Sequence, residues 1–316
     1  MANVNSAPAK VQLKAPKKKV AKYNRFGVFD VVLYIIMILF MACILVPFIH
    51  VISVSLSDNY NVTAGNVFLY PMIGADSKVG ITWENYAFML SDGAFGRAYL
   101  NTILYTVLGT FLSLLTTAMA AYALARRKLV GHNLFSVMIT ITMFFGGGLI
   151  PTTLTVLNNY HLGNTIWSQI LPGLISTWNL IIMRSFFVAY PKEIIESGEI
   201  DGLQEAGVFM RLVLPTSKAA LATIGLYYAV AYWNAYMPSL LYLDSQHADL
   251  RPVMHLLQTM IKSVNNEDTG GPEGTHMVGA TIRYCSIMIV VTPIMCVYPF
   301  IQKYFVKGVM VGSVKG

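Results

Sequence analysis

Residues 31–57 have the sequence VVLYIIMILFMACILVPFIHVISVSLS, which contains no Asp, Glu, Lys or Arg. About 20 apolar residues are enough to cross the hydrocarbon core of a bilayer as a helix, because a helix satisfies every backbone N–H and C=O internally. The run is much longer than the apolar core of a signal peptide, and no cleavage site of small residues ends it. The stretch therefore predicts a retained transmembrane helix and a membrane protein of the all-α class.

Similar uncharged stretches follow along the rest of the chain. They are 98–125, two runs within 129–183 that the polar turn 158–164 separates, 219–243, and 277–305, which only Arg283 and Lys303 interrupt. The composition agrees, since 55% of the residues are hydrophobic and 12% are charged, far from the average of soluble proteins. The sequence thus predicts a polytopic protein with six transmembrane helices.

The basic residues predict the orientation of these helices. Of the 22 Lys and Arg, seventeen lie near the two termini or in the gaps after the second and fourth helices, while four lie in the alternate loops: Lys78, Arg97, Arg251 and Lys262. Cytoplasmic loops carry an excess of Lys and Arg, so both termini are expected to be cytoplasmic. The net charge of +7 therefore reports orientation and does not indicate a nucleic acid partner.

The first 25 residues hold seven of the basic residues and are rich in Ala and Pro. Such a composition predicts a disordered cytoplasmic tail, residues 1–25, that contacts anionic membrane lipids. The membrane domain is then expected to occupy residues 26–316.

The motifs of enzymes and of metal sites are missing from the sequence. There is no Gly-x-x-x-x-Gly-Lys-Ser/Thr loop and no Gly-x-Ser-x-Gly turn, and the six histidines lack metal-site spacing. We therefore expect no catalytic residue, no metal site and no cofactor on this chain, which argues against a membrane enzyme. An ion-coupled carrier or a channel that is not driven by ATP is an alternative, but carboxylates within the spans and inverted repeats, which would favour it, are not evident.

The gap between the fourth and fifth predicted helices is where the cytoplasmic acidic residues cluster: Glu193, Glu196, Glu199, Asp201 and Glu205. A loop that only joined two spans would need a few residues. Residues 190–217 are therefore predicted to present a surface to a partner.

This loop is predicted to form two short helices. Pro191 favours the start of the first helix, and Gly202 interrupts it. Asp201 and Gln204 have the spacing of a capping box for the second helix, which Pro215 is expected to end. The apolar residues expected on one face of that helix are Leu203, Ala206, Met210 and Val213.

The loop also resembles a known family. Glu196-Ser197-Gly198, then Gly202 after three residues, then Leu212-Val213-Leu214-Pro215 after nine more, have the spacing of the Glu-Ala-Ala loop of permease subunits in binding-protein-dependent ABC importers. Ser197 and Gly198 replace the two alanines. Further segments resemble the carbohydrate-uptake, maltose-permease-like branch and, in the tail, its complex-oligosaccharide subgroup: 148–151, 164–167, 170–172, 200–202, 233–234 and 299–308.

The resemblance implies a type I ABC importer permease fold and the uptake of oligosaccharides across a bacterial plasma membrane. It implies as partners a second homologous permease, cytoplasmic ATPase subunits that hold ATP and Mg²⁺, and an extracellular solute-binding lipoprotein that meets the outer segments 58–97 and 244–276. The chain itself would then not be an enzyme. The residues that it assigns to coupling with the ATPase are Glu196, Ser197, Gly198, Asp201, Gly202, Leu214 and Pro215.

A sugar path is predicted along the fifth helix, where Trp233, Asn234 and Tyr236 lie close together. Sugars place their C–H faces on aromatic rings and form hydrogen bonds with amides. On a continuous helix, Trp233 and Tyr236 would share a face, whereas Asn234 would point elsewhere. Roles in helix packing or in an interfacial aromatic belt are equally compatible with these residues.

Overall fold

The computed structural model of the chain describes residues 27–91, 93–126, 129–266 and 276–313. The predicted tail 1–25 lies outside the described residues. The chain divides into two compact units, Met1–Phe48 and Ile49–Gly316. All contacts given below lie within the second unit.

Helices make up almost all of the regular structure in the described residues. They are α1 (Val28–Ser55), α2 (Asn59–Thr63), α3 (Glu84–Ser91), α4 (Gly93–Ala125), α5 (His132–Phe144), α6 (Leu149–Leu154), α7 (Ile166–Ile170), α8 (Thr177–Val188), α9 (Lys192–Ile200), α10 (Glu205–Val208), α11 (Leu214–Thr216), α12 (Lys218–Trp233), α13 (Met237–Tyr242), α14 (Val253–Asn266) and α15 (His276–Ser313). Short π-helical turns follow α6 (Thr155–Asn159) and join α10 to α11 (Phe209–Val213). Short 3₁₀ turns lie at Leu171–Gly173 and Ala248–Leu250.

Three of the described helices are long and apolar enough to cross a membrane: α1, α4, and the part of α15 from Thr281 to Pro299. Three further pairs of helices meet this test only together, because each pair is bent, by 114° between α5 and α6, by 52° at the start of α8, and by 82° at the start of α12. The all-α class is confirmed. The count of six spans stays a prediction.

Three predicted spans are not continuous helices, and the fourth of the six is bent at the start of α8. The third is broken between Phe144 and Leu149, where Gly148 adopts a φ of +82°, a conformation that glycine tolerates best. The fifth is also interrupted, because α12 ends at Trp233 and α13 begins at Met237. The expectation that Trp233 and Tyr236 share one helical face is therefore wrong.

The main buried cluster joins α4, α8 and α12. Gly109 of α4 lies so close to Tyr232 of α12 that a Cβ atom there would stand 2.7 Å from the tyrosine ring. The hydroxyl of Tyr232 is 2.9 Å from Ser113 Oγ and donates to the carbonyl of Ile170 at 3.1 Å. These buried hydrogen bonds satisfy the polar atoms that the helices bring into the cluster.

The segment between α1 and α4 folds around a buried asparagine. Asp58 accepts hydrogen bonds from the backbone N–H groups of Asn61 (2.9 Å) and Gly74 (2.6 Å). The side chain of Asn61 is fully buried and donates to the carbonyl of Gly74 at 2.9 Å. These bonds hold the antiparallel hairpin of β1 (Met72–Ile73) and β2 (Lys78–Val79) against α2.

A second buried cluster combines this segment with the one that precedes α15. Met89 of α3, Phe95 of α4, Val253 and Leu257 of α14, and Val290 of α15 belong to it. The two long segments that were predicted to be external thus share one core. The stretch 267–275 of the second one lies outside the described residues.

Candidate coupling segment and membrane cavity

The coupling segment, residues 190–217, begins with α9 and a tight turn. The N–H of Leu203 donates to the carbonyl of Gly198 (2.9 Å), and the N–H of Gly202 donates to that of Glu199 (3.1 Å). Gly202 has a φ of +82°. This pair of bonds with a left-handed glycine is a Schellman motif. Backbone hydrogen bonds, and not a polar side chain, therefore end α9 here.

The capping-box prediction for the second helix is wrong. Asp201 is the C-terminal cap of α9, and its N–H bonds to the carbonyl of Ser197 at 3.0 Å. The next helix begins at Glu205 after Gln204, which forms no side-chain cap. Asp201 cannot be the N-terminal cap of the second helix because it is already part of the Schellman turn that ends α9. At the other end, the helix continues to Thr216, one residue beyond Pro215.

The buried face of the second helix also differs from the prediction. Val213 is buried as expected, but Ala206 and Met210 are exposed, and Val208 and Phe209 are buried instead. The π-helical turn Phe209–Val213 changes the angle per residue, so a regular period of 3.6 residues misplaces the face.

The segment packs directly on the main cluster. Ile195, Val208, Phe209 and Val213 belong to the same buried set as Phe187 of α8. Gly198 is buried, and a Cβ atom at this position would stand 2.6 Å from Leu212 Cδ1. The small residue of the Glu196-Ser197-Gly198 motif therefore lets α9 pack closely on the helix that follows.

The other predicted coupling residues lie at the surface. Glu196, Ser197, Asp201, Gly202 and Pro215 are exposed, and Leu214 is half-buried. Large apolar side chains accompany them: the exposed fraction is 86% for Ile200, 54% for Met210 and 40% for Ile194. Exposed apolar residues of this size, close to charged ones, are typical of an interaction surface.

Arg126, which directly follows α4, is a residue that the sequence analysis did not identify. Its guanidinium forms ion pairs with Glu199 and with Glu205, the latter at 2.7 Å. Burial would lower the pKa of Arg126, but its hydrogen bonds with Glu205 and Glu199 outweigh this effect and raise the pKa. The only sequence signal is that acidic and basic residues occur in the two gaps predicted to be cytoplasmic, which does not specify the pairs.

The predicted path residues Trp233 and Asn234 make local contacts. Trp233 is half-buried, its Nε1 donates to the carbonyl of Val290 at 3.2 Å, and its ring lies edge-on to Tyr99 at 5.8 Å. Asn234 is exposed and donates to the carbonyl of Val230 within its own helix. Tyr236 is half-buried and precedes α13. Their role in a sugar path stays a prediction.

A cavity of about 460 Å³ lies beside the same helix, between α12 and the start of α8. It brings together four aromatic rings, Trp178, Tyr227, Tyr228 and Tyr232, and two buried amides, Gln169 and Asn179. The described residues that line it include no charged side chain. The sequence analysis missed Trp178 and Asn179 because they lie in a different predicted span from the path residues Trp233, Asn234 and Tyr236.

The comparisons with known proteins establish the family. No family model matches the chain. The chain is 35% identical over 289 residues to the polygalacturonan/rhamnogalacturonan transport system permease protein YtcP of Bacillus subtilis (strain 168), covering 91% of this chain and 98% of that protein. It is 38% identical over 281 residues to protein LplC of the same organism, covering 87% of this chain and 90% of that one.

The chain belongs to the permease subunits of ABC importers. A solved structure of a bacterial ABC transporter involved in the import of the acidic polysaccharide alginate contains a chain that matches with a TM-score of 0.78 and 29% identity, covering 89% of this chain and all of that one. Permeases of this family are integral membrane transport components and not enzymes, and separate ATPase subunits hydrolyse the ATP. They work with ATPase and binding-protein partners, and nothing in these relatives supports an ion-coupled carrier.

Proposed function

We propose that this permease forms half of the passage of an oligosaccharide importer in a bacterial plasma membrane, beside a second, homologous permease. In this proposal the chain crosses the membrane six times with both termini in the cytoplasm. Cytoplasmic subunits bind ATP and Mg²⁺, this chain holds no cofactor, and an extracellular solute-binding lipoprotein delivers the sugar. The domain boundary stays at residue 26, with a basic tail near anionic lipids before it.

The arrangement of the coupling segment carries the proposal. Glu196, Ser197, Asp201, Gly202 and Pro215 are exposed, and so are several large apolar side chains of the same segment. The opposite side of the segment is packed on the main cluster. A short helix that is rigidly attached to the membrane domain transmits a displacement as a rigid body. We propose that this surface docks into a groove on the ATPase subunit.

The cavity beside α12 is the proposed contact for the sugar. Relatives include permeases named for polygalacturonan/rhamnogalacturonan and for arabinooligosaccharides, and the alginate importer is similar in structure. Stacking on Trp178 and hydrogen bonds to Gln169 and Asn179 suit the C–H faces and hydroxyl groups of a sugar. Trp233 and Tyr236 stay as proposed flanking residues of the path.

The test is to purify the chain with its copurifying subunits, reconstitute the complex in liposomes, and measure uptake of neutral and acidic oligosaccharides with and without ATP. The expected result is uptake that requires both ATP and the binding protein. A matched preparation that carries an inactivated ATPase subunit is the control. Uptake driven equally well by an ion gradient in that control would refute the proposal.

A further inference from the structure

Arg126 joins the end of a membrane-length helix to both short helices of the coupling segment. Its Nη2 contacts Glu199 near the end of α9, and it donates to Glu205 Oε1 at the start of α10 at 2.7 Å. These two carboxylates lie on either side of the turn at Gly202. A single cation therefore bridges the two sides of that turn, although its partners are 73 and 79 residues away along the chain.

The surroundings of Arg126 protect part of this bridge from solvent. The exposed fraction of its side chain is 19%, that of Glu199 is 35% and that of Glu205 is 54%, so solvent screens the pair with Glu199 less than the pair with Glu205. Hydrogen bonds between ionised groups are about twice as strong as neutral ones. Both carboxylates contact the same nitrogen of the guanidinium, Nη2, which links them directly through one group.

Tyr122, one turn before Arg126 on α4, reinforces the same contact. Its hydroxyl donates to Glu205 Oε2 at 3.0 Å. Its buried ring packs against Phe209 of the coupling segment, with ring centroids 5.0 Å apart, and edge-on against Phe187 of α8 at 6.2 Å. Both oxygens of Glu205 are thus held at the end of α4, one by Tyr122 in its last turn and one by Arg126 directly after it.

We infer that Arg126 is a positioning residue that transmits movement of the coupling segment to α4. This inference rests on the proposed function, in which residues 190–217 dock on the ATPase. Without the guanidinium, Glu199 and Glu205 lose the cation that links them across the Gly202 turn. The apolar contacts of the segment remain, so the complex still assembles, but α9 and α10 no longer move as one body with α4.

The experiment compares Arg126→Gln with Lys218→Gln in complexes reconstituted with their own ATPase and binding-protein subunits. Lys218 is exposed at the start of α12 and has no ion pair with the described residues, so its substitution removes the same charge near the same surface. The readout is the number of sugar molecules transported per ATP hydrolysed. Arg126→Gln is expected to lower this ratio about fivefold, with assembly and basal hydrolysis unchanged, and Lys218→Gln to leave it unaltered.

A charge swap distinguishes positioning from general structural support. Arg126→Glu combined with Glu205→Arg keeps one cation beside two carboxylates, so the ratio should recover to at least about half of the wild-type value, while Arg126→Glu alone stays low. If Arg126→Gln fails to assemble, Glu205→Gln, which leaves the pair of Arg126 with Glu199 intact, should give an intermediate loss.

Two outcomes overturn the inference. The first is that Arg126→Gln transports as many sugar molecules per ATP as Lys218→Gln; where Glu205→Gln replaces Arg126→Gln, the same comparison applies to it. The second is that the charge swap does not restore this ratio. A wild-type complex that shows no ATP-dependent uptake would refute the proposed function, and the role of Arg126 with it. The wild-type measurement therefore separates the two failures.

Discussion

At the scale of single residues, Gly202 is constrained by its backbone and not by its surroundings. Its φ is +82°, and no atom lies within 4 Å of the place where a Cβ would be. Gly202→Val should strain the turn by about 1–2 kcal/mol, so that uptake and substrate-stimulated ATP hydrolysis fall together by about tenfold. Gly202→Asn is the matched control, because asparagine is of similar size but tolerates this conformation. Equal activity of the two variants would show that the left-handed turn is not required.

Trp178 and Trp233 should respond differently to truncation. Trp178 is 59% exposed and lines the cavity, so Trp178→Ala should remove a stacking surface worth about 1 kcal/mol and change uptake several-fold, with Trp178→Phe close to wild type. Trp233 contacts Tyr99 and Val290, so Trp233→Ala should mainly lower the melting temperature of the complex. Uptake over a concentration series and thermal melting separate these effects. Normal uptake by Trp178→Ala would remove the cavity from the proposed path.

At the scale of helices, the sequence indicated which elements exist better than where they bend. Uncharged runs predicted membrane helices because burial in lipid depends on composition over about 20 residues. The break before Leu149 and the end of α12 at Trp233 depend on local backbone geometry, which composition does not encode. The same limit applies to the second coupling helix, whose π-helical turn moved the buried face. Arg126 was missed because its partners are distant in sequence and only the fold brings them together.

The contact between α4 and α12 provides a prediction at this scale. Gly109→Ala would place a Cβ 2.7 Å from the ring of Tyr232, and this ring is held by hydrogen bonds to Ser113 and Ile170. The variant should therefore lose about 1–3 kcal/mol of stability. Gly225→Ala on α12 is the control, since its Cβ would lie at an ordinary 3.5 Å from Leu114. Thermal unfolding of the purified permease measures both, and equal melting temperatures would contradict close packing at Gly109.

At the scale of the whole membrane domain, α4 contributes residues to two buried clusters, one near each of its ends. Phe95 near its start belongs to the cluster formed with α3 and α14, and Tyr122 near its end belongs to the one that holds the coupling segment. The helix has 33 residues, so it is about 50 Å long, more than the roughly 30 Å of a bilayer core. The segment between α1 and α4, which contains the hairpin of β1 and β2, and the coupling segment are therefore expected on opposite sides of the membrane.

Single-cysteine labelling tests this arrangement and the orientation together. In a variant with Cys43, Cys285 and Cys296 changed to serine, Asp76→Cys and Lys218→Cys each offer one exposed thiol. Because the six-span topology would put seventeen of the 22 basic residues on the side of the coupling segment, we expect that side to be cytoplasmic. Asp76→Cys should then react with a membrane-impermeant maleimide in intact cells, and Lys218→Cys only after permeabilisation, which also serves as the control for reactivity. Labelling of Lys218→Cys in intact cells would invert the topology and place the coupling segment out of reach of any cytoplasmic ATPase.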